Sequence, residues 1–130
     1  MAEQFLLDTH TILFWASDQS KLSSAAFSAI EDGENEVYVS AVSAMEIATK
    51  VRIGKLEVGR PLATGFRRQM IERGFLELML TMDHAELAGS FPSPHNDPWD
   101  RLLAAQAQIE GLTLVTNDER IGSFGVKTYW

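Results

Sequence analysis

Short apolar blocks alternate along this chain with longer stretches in which apolar positions recur every three or four residues. Gln4-Phe5-Leu6-Leu7 is a compact apolar run, which predicts a buried strand ending at Asp8. Thr9 is placed to cap a helix carrying Ile12, Leu13, Trp15 and Ala16, and Asp18-Gln19-Ser20-Lys21 breaks that pattern. Leu22 to Ile30 reads as a second helix, capped by Ser23 or Ser24, and Asp32-Gly33-Glu34-Asn35 as a turn. Val37-Tyr38-Val39, β-branched and aromatic, predicts a second strand. Ser40 then caps a helix from Ala41 to Ile53, stopped by Gly54, whose inward stripe is Val42, Met45, Ile47, Ala48 and Val51.

The second half repeats the alternation. Leu56 to Gly59 reads as a connector, and Pro61 opens a helix running to about Arg73, ended by Gly74. Phe75 to Leu80 predicts a third strand, and Thr81 or Asp83 caps a short helix over His84 to Ala88. A loop from Gly89 to Asn96 leads into Asp97-Pro98-Trp99-Asp100-Arg101, an N-cap followed by proline at the first helical position, where its missing N–H costs nothing. That helix ends at Gly111. Leu112 to Val115 predicts a fourth strand, Thr116-Asn117-Asp118 a polar turn, Ile121 to Gly125 a helical turn, and Val126 to Tyr129 a last strand. Strands alternating with helices imply an α/β domain whose sheet is mostly parallel, covered on both faces and joined by right-handed crossovers. The 130 residues carry no linker or repeat, so a single domain over 1–130 is expected.

Composition narrows the chemistry. With 45% apolar and 22% charged residues the chain reads as an ordinary soluble domain, and the absence of cysteine excludes disulfides and thiolate metal sites. No basic leader and no apolar run long enough to span a bilayer is present, so a cytoplasmic protein without a membrane partner is expected. The net charge of −7 argues against a broad nucleic-acid surface. The charge is uneven, however: seven of the eleven basic residues (Lys50, Arg52, Lys55, Arg60, Arg67, Arg68 and Arg73) lie in one segment. That segment is either a solvated helix face or a basic rim beside an acidic pocket.

In open parallel sheets ligands bind beyond the carboxyl ends of the strands. Asp8 follows the first strand there and Asp118 the fourth, while Glu46 and Asp100 lie near the starts of helices that reach the same edge. Clustered carboxylates repel, and some are held protonated unless a cation joins them. An oxygen-only cluster favours Mg²⁺ or Mn²⁺ over Zn²⁺, and such sites serve phosphoryl and phosphodiester chemistry. Each acid also has an ordinary use. Asp97 is an N-cap, Asp100 a favourable charge at a helix start, Asp118 a turn residue, and Glu46 a capping-box partner of Ser43 if the helix begins there.

The blocks Phe5-Leu6-Leu7-Asp8-Thr9-His10, Ser40 to Ala48 with Glu46, Asp97 to Ala107 and Leu114-Val115-Thr116-Asn117-Asp118 resemble the PIN domain, and more closely the VapC toxins of bacterial toxin–antitoxin modules. The resemblance covers essentially the whole chain, and the third block is its most specific part. It implies a three-layer α/β/α sandwich with a mostly parallel sheet of four to five strands. It implies a metal-dependent endoribonuclease whose acidic quartet is Asp8, Glu46, Asp100 and Asp118, holding one or two Mg²⁺ or Mn²⁺ ions that activate water against an RNA phosphodiester. Thr116 matches the small hydroxyl residue near the last acid. Asp97 and His10 rank as accessory, with Asn117 and Arg101 weaker candidates, Arg101 as a partner for a carboxylate. A homodimer is implied, together with an antitoxin whose terminal segment fills a groove and presents a basic residue to the acids. Phe14, Trp15, Ile47, Val51, Ile53 and Leu56 are candidates for that groove or the dimer contact, with the core as the alternative for most of them.

Other readings fit less well. A non-catalytic PIN-like module binding RNA or protein predicts a broken acidic position, and none is broken. A small-molecule phosphatase with paired aspartates after the first strand would need an acid where His10 stands. A receiver domain would need paired acids there and a lysine after a late strand.

Overall fold

The computed structural model describes residues 2–130. Its strands are β1 (Gln4–Leu7), β2 (Glu36–Ser40), β3 (Leu76–Leu78), β4 (Thr113–Val115) and β5 (Thr128–Tyr129), ordered β3-β2-β1-β4-β5 and all parallel. The helices are α1 (Thr9–Ser17), α2 (Ser24–Glu31), α3 (Ala41–Arg52), α4 (Phe66–Glu72), α5 (Met82–Ser90) and α6 (Pro98–Glu110), with 3₁₀ turns at Gln19–Lys21, Glu57–Leu62 and Glu119–Phe124. The chain builds outward from β1 through β2 to β3, then returns to lay β4 on the other side of β1. Leu7 pairs with Val115 across that junction. The junction is therefore the point where strand order reverses, and in open parallel sheets the ligand crevice lies at such a point, beyond the carboxyl ends of the strands, here β1 and β4.

Both faces of the sheet are covered, so its strands are apolar at successive positions rather than at alternate ones. On one face Phe5, Leu7, Val37, Val39 and Val115 pack against Ile12, Leu13 and Trp15 of α1, Ala26 and Ile30 of α2, and Met70 of α4. On the other, Leu6 and Leu114 pack against Leu103, Ala104 and Ala107 of α6 with Ile121 and Phe124. Leu6 and Leu7 are completely buried, each worth roughly 2 kcal/mol of apolar transfer. Gln106 joins the layers: its Oε1 accepts from Ser40 Oγ at 2.5 Å and its Nε2 donates to the Met79 carbonyl at 3.3 Å. No helix among the described residues is long and apolar enough to cross a membrane.

Several local expectations change. Thr9 does not cap α1; Asp8 does, accepting from His10 N at 2.9 Å, while the Thr9 hydroxyl lies 2.8 Å from Ser43 Oγ. The single helix expected from Pro61 to Arg73 is a 3₁₀ turn and a two-turn helix, separated by Gly65, whose φ of 71° lies in the left-handed region that ends helical runs. Helix α5 is longer than expected, because Thr81 and His84 form a reciprocal capping box. In α3 only Val42, Ile47 and Val51 of the anticipated stripe are buried; Met45 and Ala48 face solvent. Of the candidate groove residues, Trp15, Ile47 and Val51 belong to the core, Phe14 and Leu56 pack against it half-buried, and Ile53 is exposed.

Candidate active site

Helix starts and strand ends bring the acids to the crevice. Asp8 is the first residue past β1 and is 2% exposed. Its backbone N–H donates to the Val115 carbonyl at 3.1 Å, which ties the end of β1 to the end of β4. Its side chain accepts from the Thr116 hydroxyl and from His10 N. Burial pushes the Asp8 carboxyl up, against the pull of the Thr116 and His10 hydrogen bonds. Thr116 also accepts from Asp118 N at 3.1 Å, so one hydroxyl orients two acidic positions.

Glu46 reaches the crevice from the second turn of α3, which Ser40 starts by accepting from Val42 N. The helix begins at Ala41, so the Ser43–Glu46 capping box does not form, and Glu46 is left without that structural duty. It is 3% exposed, and its charge bears on Asp8. Lys50 donates to Glu46 Oε2 at 2.5 Å, while Oε1 is buried with no hydrogen-bond partner. A buried charged oxygen left unpaired costs free energy, and a bound cation would remove that cost.

Asp97 caps α6 as expected, accepting from Trp99 N at 2.9 Å and Asp100 N at 3.2 Å. Asp100 therefore lies in the first turn and is turned inward, 9% exposed. Burial, then the charges of Asp97 and Asp8, push its carboxyl up to about 6, against the hydrogen bond from His95. The expected raised carboxyls are thus present at Asp8 and Asp100, with desolvation rather than mutual repulsion as the larger cause. Asp118 starts the 3₁₀ turn after β4 and is gripped by Arg120, whose Nε and Nη2 donate to its two oxygens at 3.1 and 2.9 Å. That guanidinium holds Asp118 below the usual carboxylate range.

His95 emerges as a member of the cluster that the sequence did not single out. Its Nε2 donates to Asp100 Oδ2 at 2.7 Å, and ligand atoms of His95, Asp100 and Asp118 all lie within 4.8 Å of one another. It sits in a loop without helical or strand period; the one sequence signal was its place just before the Asp97 cap. Arg101 does not pair with a carboxylate. It donates to the carbonyls of Ala88, Phe91, Ser93 and His95, at 2.5 to 3.2 Å, and so fixes that loop. His10 lies at the margin, with Nδ1 3.9 Å from Asp8 Oδ1 and its side chain 59% exposed. Asn117 is exposed in the turn.

The arrangement is a row of acids, each balanced by a donor of this chain: Thr116 on Asp8, Lys50 on Glu46, His95 on Asp100 and Arg120 on Asp118. The donor set suits a divalent cation. Much of the basic segment is neutralised locally, by Arg60–Glu57, Arg67–Glu77 and Arg68–Glu72 pairs, while Arg73 stacks over Trp15. A cavity of about 670 Å³ lined by Glu3, Gln4, Glu36, Gly111 and Lys127 lies at the amino ends of the strands and contains none of these acids.

The sequence profile of the PIN domain matches residues 5–127. Ribonuclease VapC22 of Mycobacterium tuberculosis is 33% identical over 119 residues, 91% of this chain and 89% of that protein. Among solved structures, VapBC2 from Rickettsia felis bound to a DNA fragment from their promoter superposes with a TM-score of 0.66 at 18% identity, covering 97% of each chain. FitAcB from Neisseria gonorrhoeae does so with a TM-score of 0.65 at 19% identity, covering all of this chain and 97% of that one.

Proposed function

This chain belongs to the PIN domain family, and we propose that it is a metal-dependent endoribonuclease, the toxin of a toxin–antitoxin pair, whose site is Asp8, Glu46, Asp100 and Asp118. The observation that carries the reading is Glu46 Oε1: a buried carboxylate oxygen with no partner, beside a second buried carboxylate. A domain that used these acids only for capping would leave no such orphan. The four carboxylates would hold Mg²⁺ or Mn²⁺, the ions that oxygen donors favour. Such an ion makes water nucleophilic at neutral pH and stabilises the charge that builds on phosphoryl oxygens in the transition state.

The chain's own residues do the rest. Thr116 fixes the orientation of Asp8, and Asp97 sets the first turn of α6 so that Asp100 faces inward. Lys50 and Arg120 supply positive charge at the rim, where an RNA backbone would lie. His10, exposed beside Asp8, is placed to touch substrate. A non-catalytic binding module has no use for a buried Glu46 oxygen left without a partner beside the Lys50 pair. An antitoxin that covers the acids, in keeping with the toxin–antitoxin complex among the structural neighbours, and the homodimer that the family resemblance implies complete the proposal. The test is cleavage of total RNA by purified protein in Mg²⁺, in Mn²⁺ and in EDTA, beside Asp8→Ala and Asp100→Ala. Cleavage is expected with metal only and to be lost in both variants; an active Asp100→Ala protein refutes the assignment.

A further inference from the structure

The cluster holds a histidine that the acidic quartet does not need. Resting on the reading that a divalent ion occupies this site, we propose that His95, in the tautomer that carries its proton on Nδ1, exchanges the Nε2 hydrogen bond to Asp100 for the ion and supplies Nε2 as a nitrogen ligand, which biases the site toward Mn²⁺ over Mg²⁺.

The ring is held by contacts from several elements. Its backbone N–H donates to Ser93 Oγ at 3.2 Å and its carbonyl accepts from Arg101 at 2.8 Å. The ring packs on Phe124 at 5.6 Å between centroids, and Phe124 is braced by Phe91 at 5.0 Å. Arg101 spends its remaining donors on Ala88, Phe91 and Ser93. A loop with two prolines and no ladder of its own is thereby set rigidly over the start of α6. Its outcome is one aimed atom, Nε2, against Asp100, with a ring nitrogen of His95 within 4.8 Å of an Asp118 oxygen. Ligands about 2.1 Å from one octahedral ion are at most about 4.2 Å apart, so movements of about half an ångström suffice. The orphaned Glu46 oxygen points independently to a cation in the same row of charges.

Chemistry then gives the preference. Magnesium takes oxygen donors and retains its waters, whereas an imidazole nitrogen adds affinity for transition ions. The other histidines do not compete for this role. His84 is committed at both ring nitrogens, to Thr81 N and to Glu110, away from the acids. His10 faces solvent at the margin of the site and serves as the control.

The experiment is pulsed EPR of the Mn²⁺-loaded full chain, with calorimetric Kd values for Mn²⁺ and for Mg²⁺, on wild type, His95→Gln and His10→Gln. Wild type and His10→Gln are expected to show the nitrogen coupling of a directly bound imidazole. It should change pattern when wild type is grown with ¹⁵N-histidine, a check that alters no contact. In His95→Gln the coupling vanishes and the Mn²⁺ affinity falls about tenfold or more, with Mg²⁺ affinity falling clearly less. Mn²⁺ binding without nitrogen coupling in wild type, or an equal loss for both ions in His95→Gln, overturns the ligand role alone. Failure of wild type to bind either ion overturns the metal reading together with it.

Discussion

Asp100→Asn removes one charge from the crowded crevice and keeps the shape of the side chain, including an oxygen to accept from His95. In the folded chain the Asp100 carboxyl is raised from 3.8 to about 6. An acid whose folded pKa exceeds its unfolded value takes up protons on folding. Its contribution to stability is present below about pH 4, falls as the pH rises from about 4 to 6, and is absent above that. The difference of 2.2 pH units, at 1.36 kcal/mol each, corresponds to about 3 kcal/mol at neutral pH if realised in full. The side chain retains 13% exposure, and solvent screening reduces this to about 1–2 kcal/mol. Against it stands a favourable charge in the first turn of α6, worth about 0.3–1 kcal/mol. The metal-free variant is therefore expected to gain about 1 kcal/mol at pH 7.5, roughly 4 °C in Tm for a chain of this length. Scanning calorimetry in EDTA at pH 7.5 and pH 4 measures it. The gain should shrink toward zero at pH 4, and added Mn²⁺ should raise the Tm of wild type but not of the variant. A Tm that drops at pH 7.5 in EDTA would refute the argument and make Asp100 a structural helix-start charge.

Three further outcomes follow from particular contacts. Arg101→Met takes the donors from four carbonyls of the loop before α6 and should destabilise by about 3 kcal/mol in urea titrations while weakening Mn²⁺ binding, since His95 loses its anchor. Ser40→Ala removes the α3 cap and leaves Gln106 Oε1 buried without a donor; a loss of about 2–4 kcal/mol in stability, with Mn²⁺ affinity per folded molecule unchanged, is expected. Thr116→Val deletes the hydrogen bond that pulls the Asp8 carboxyl down, so its pKa rises further and the pH profile of RNA cleavage should move to higher pH, with kcat falling more than KM changes.

The alternation of apolar blocks was enough to place all five strands and the six helices in order, because a buried parallel sheet writes continuous apolar runs into its strands. The Asp97-Pro98 start of α6 was equally legible, since cap and proline act on the next three residues alone. The division of the segment from Pro61 to Arg73 was not: the Pro61 signal and the apolar spacing say nothing of the left-handed turn at Gly65 that starts α4 late. Met45 and Ala48 share the helical period with buried residues, yet the period cannot tell which neighbours a fold supplies. In the crevice, the acids stood at strand ends and helix starts, where position predicts convergence. His95 and the loop-fixing role of Arg101 depend on contacts made across the fold, between residues whose spacing has no regular period. The donors that balance each acid were hidden for the same reason, Lys50 and Arg120 excepted, which lie four and two residues from their partners.

The most direct test follows the orphaned oxygen. Mn²⁺ affinity and RNA cleavage are to be measured on the same metal-stripped preparations of wild type and Glu46→Gln, with circular dichroism to confirm the fold. The prediction is that wild type is silent until Mn²⁺ is restored, and that Glu46→Gln loses metal affinity and cleavage together while remaining folded. A Glu46→Gln protein that binds Mn²⁺ and cuts RNA like wild type, or a metal-stripped wild type that cuts, would contradict the account.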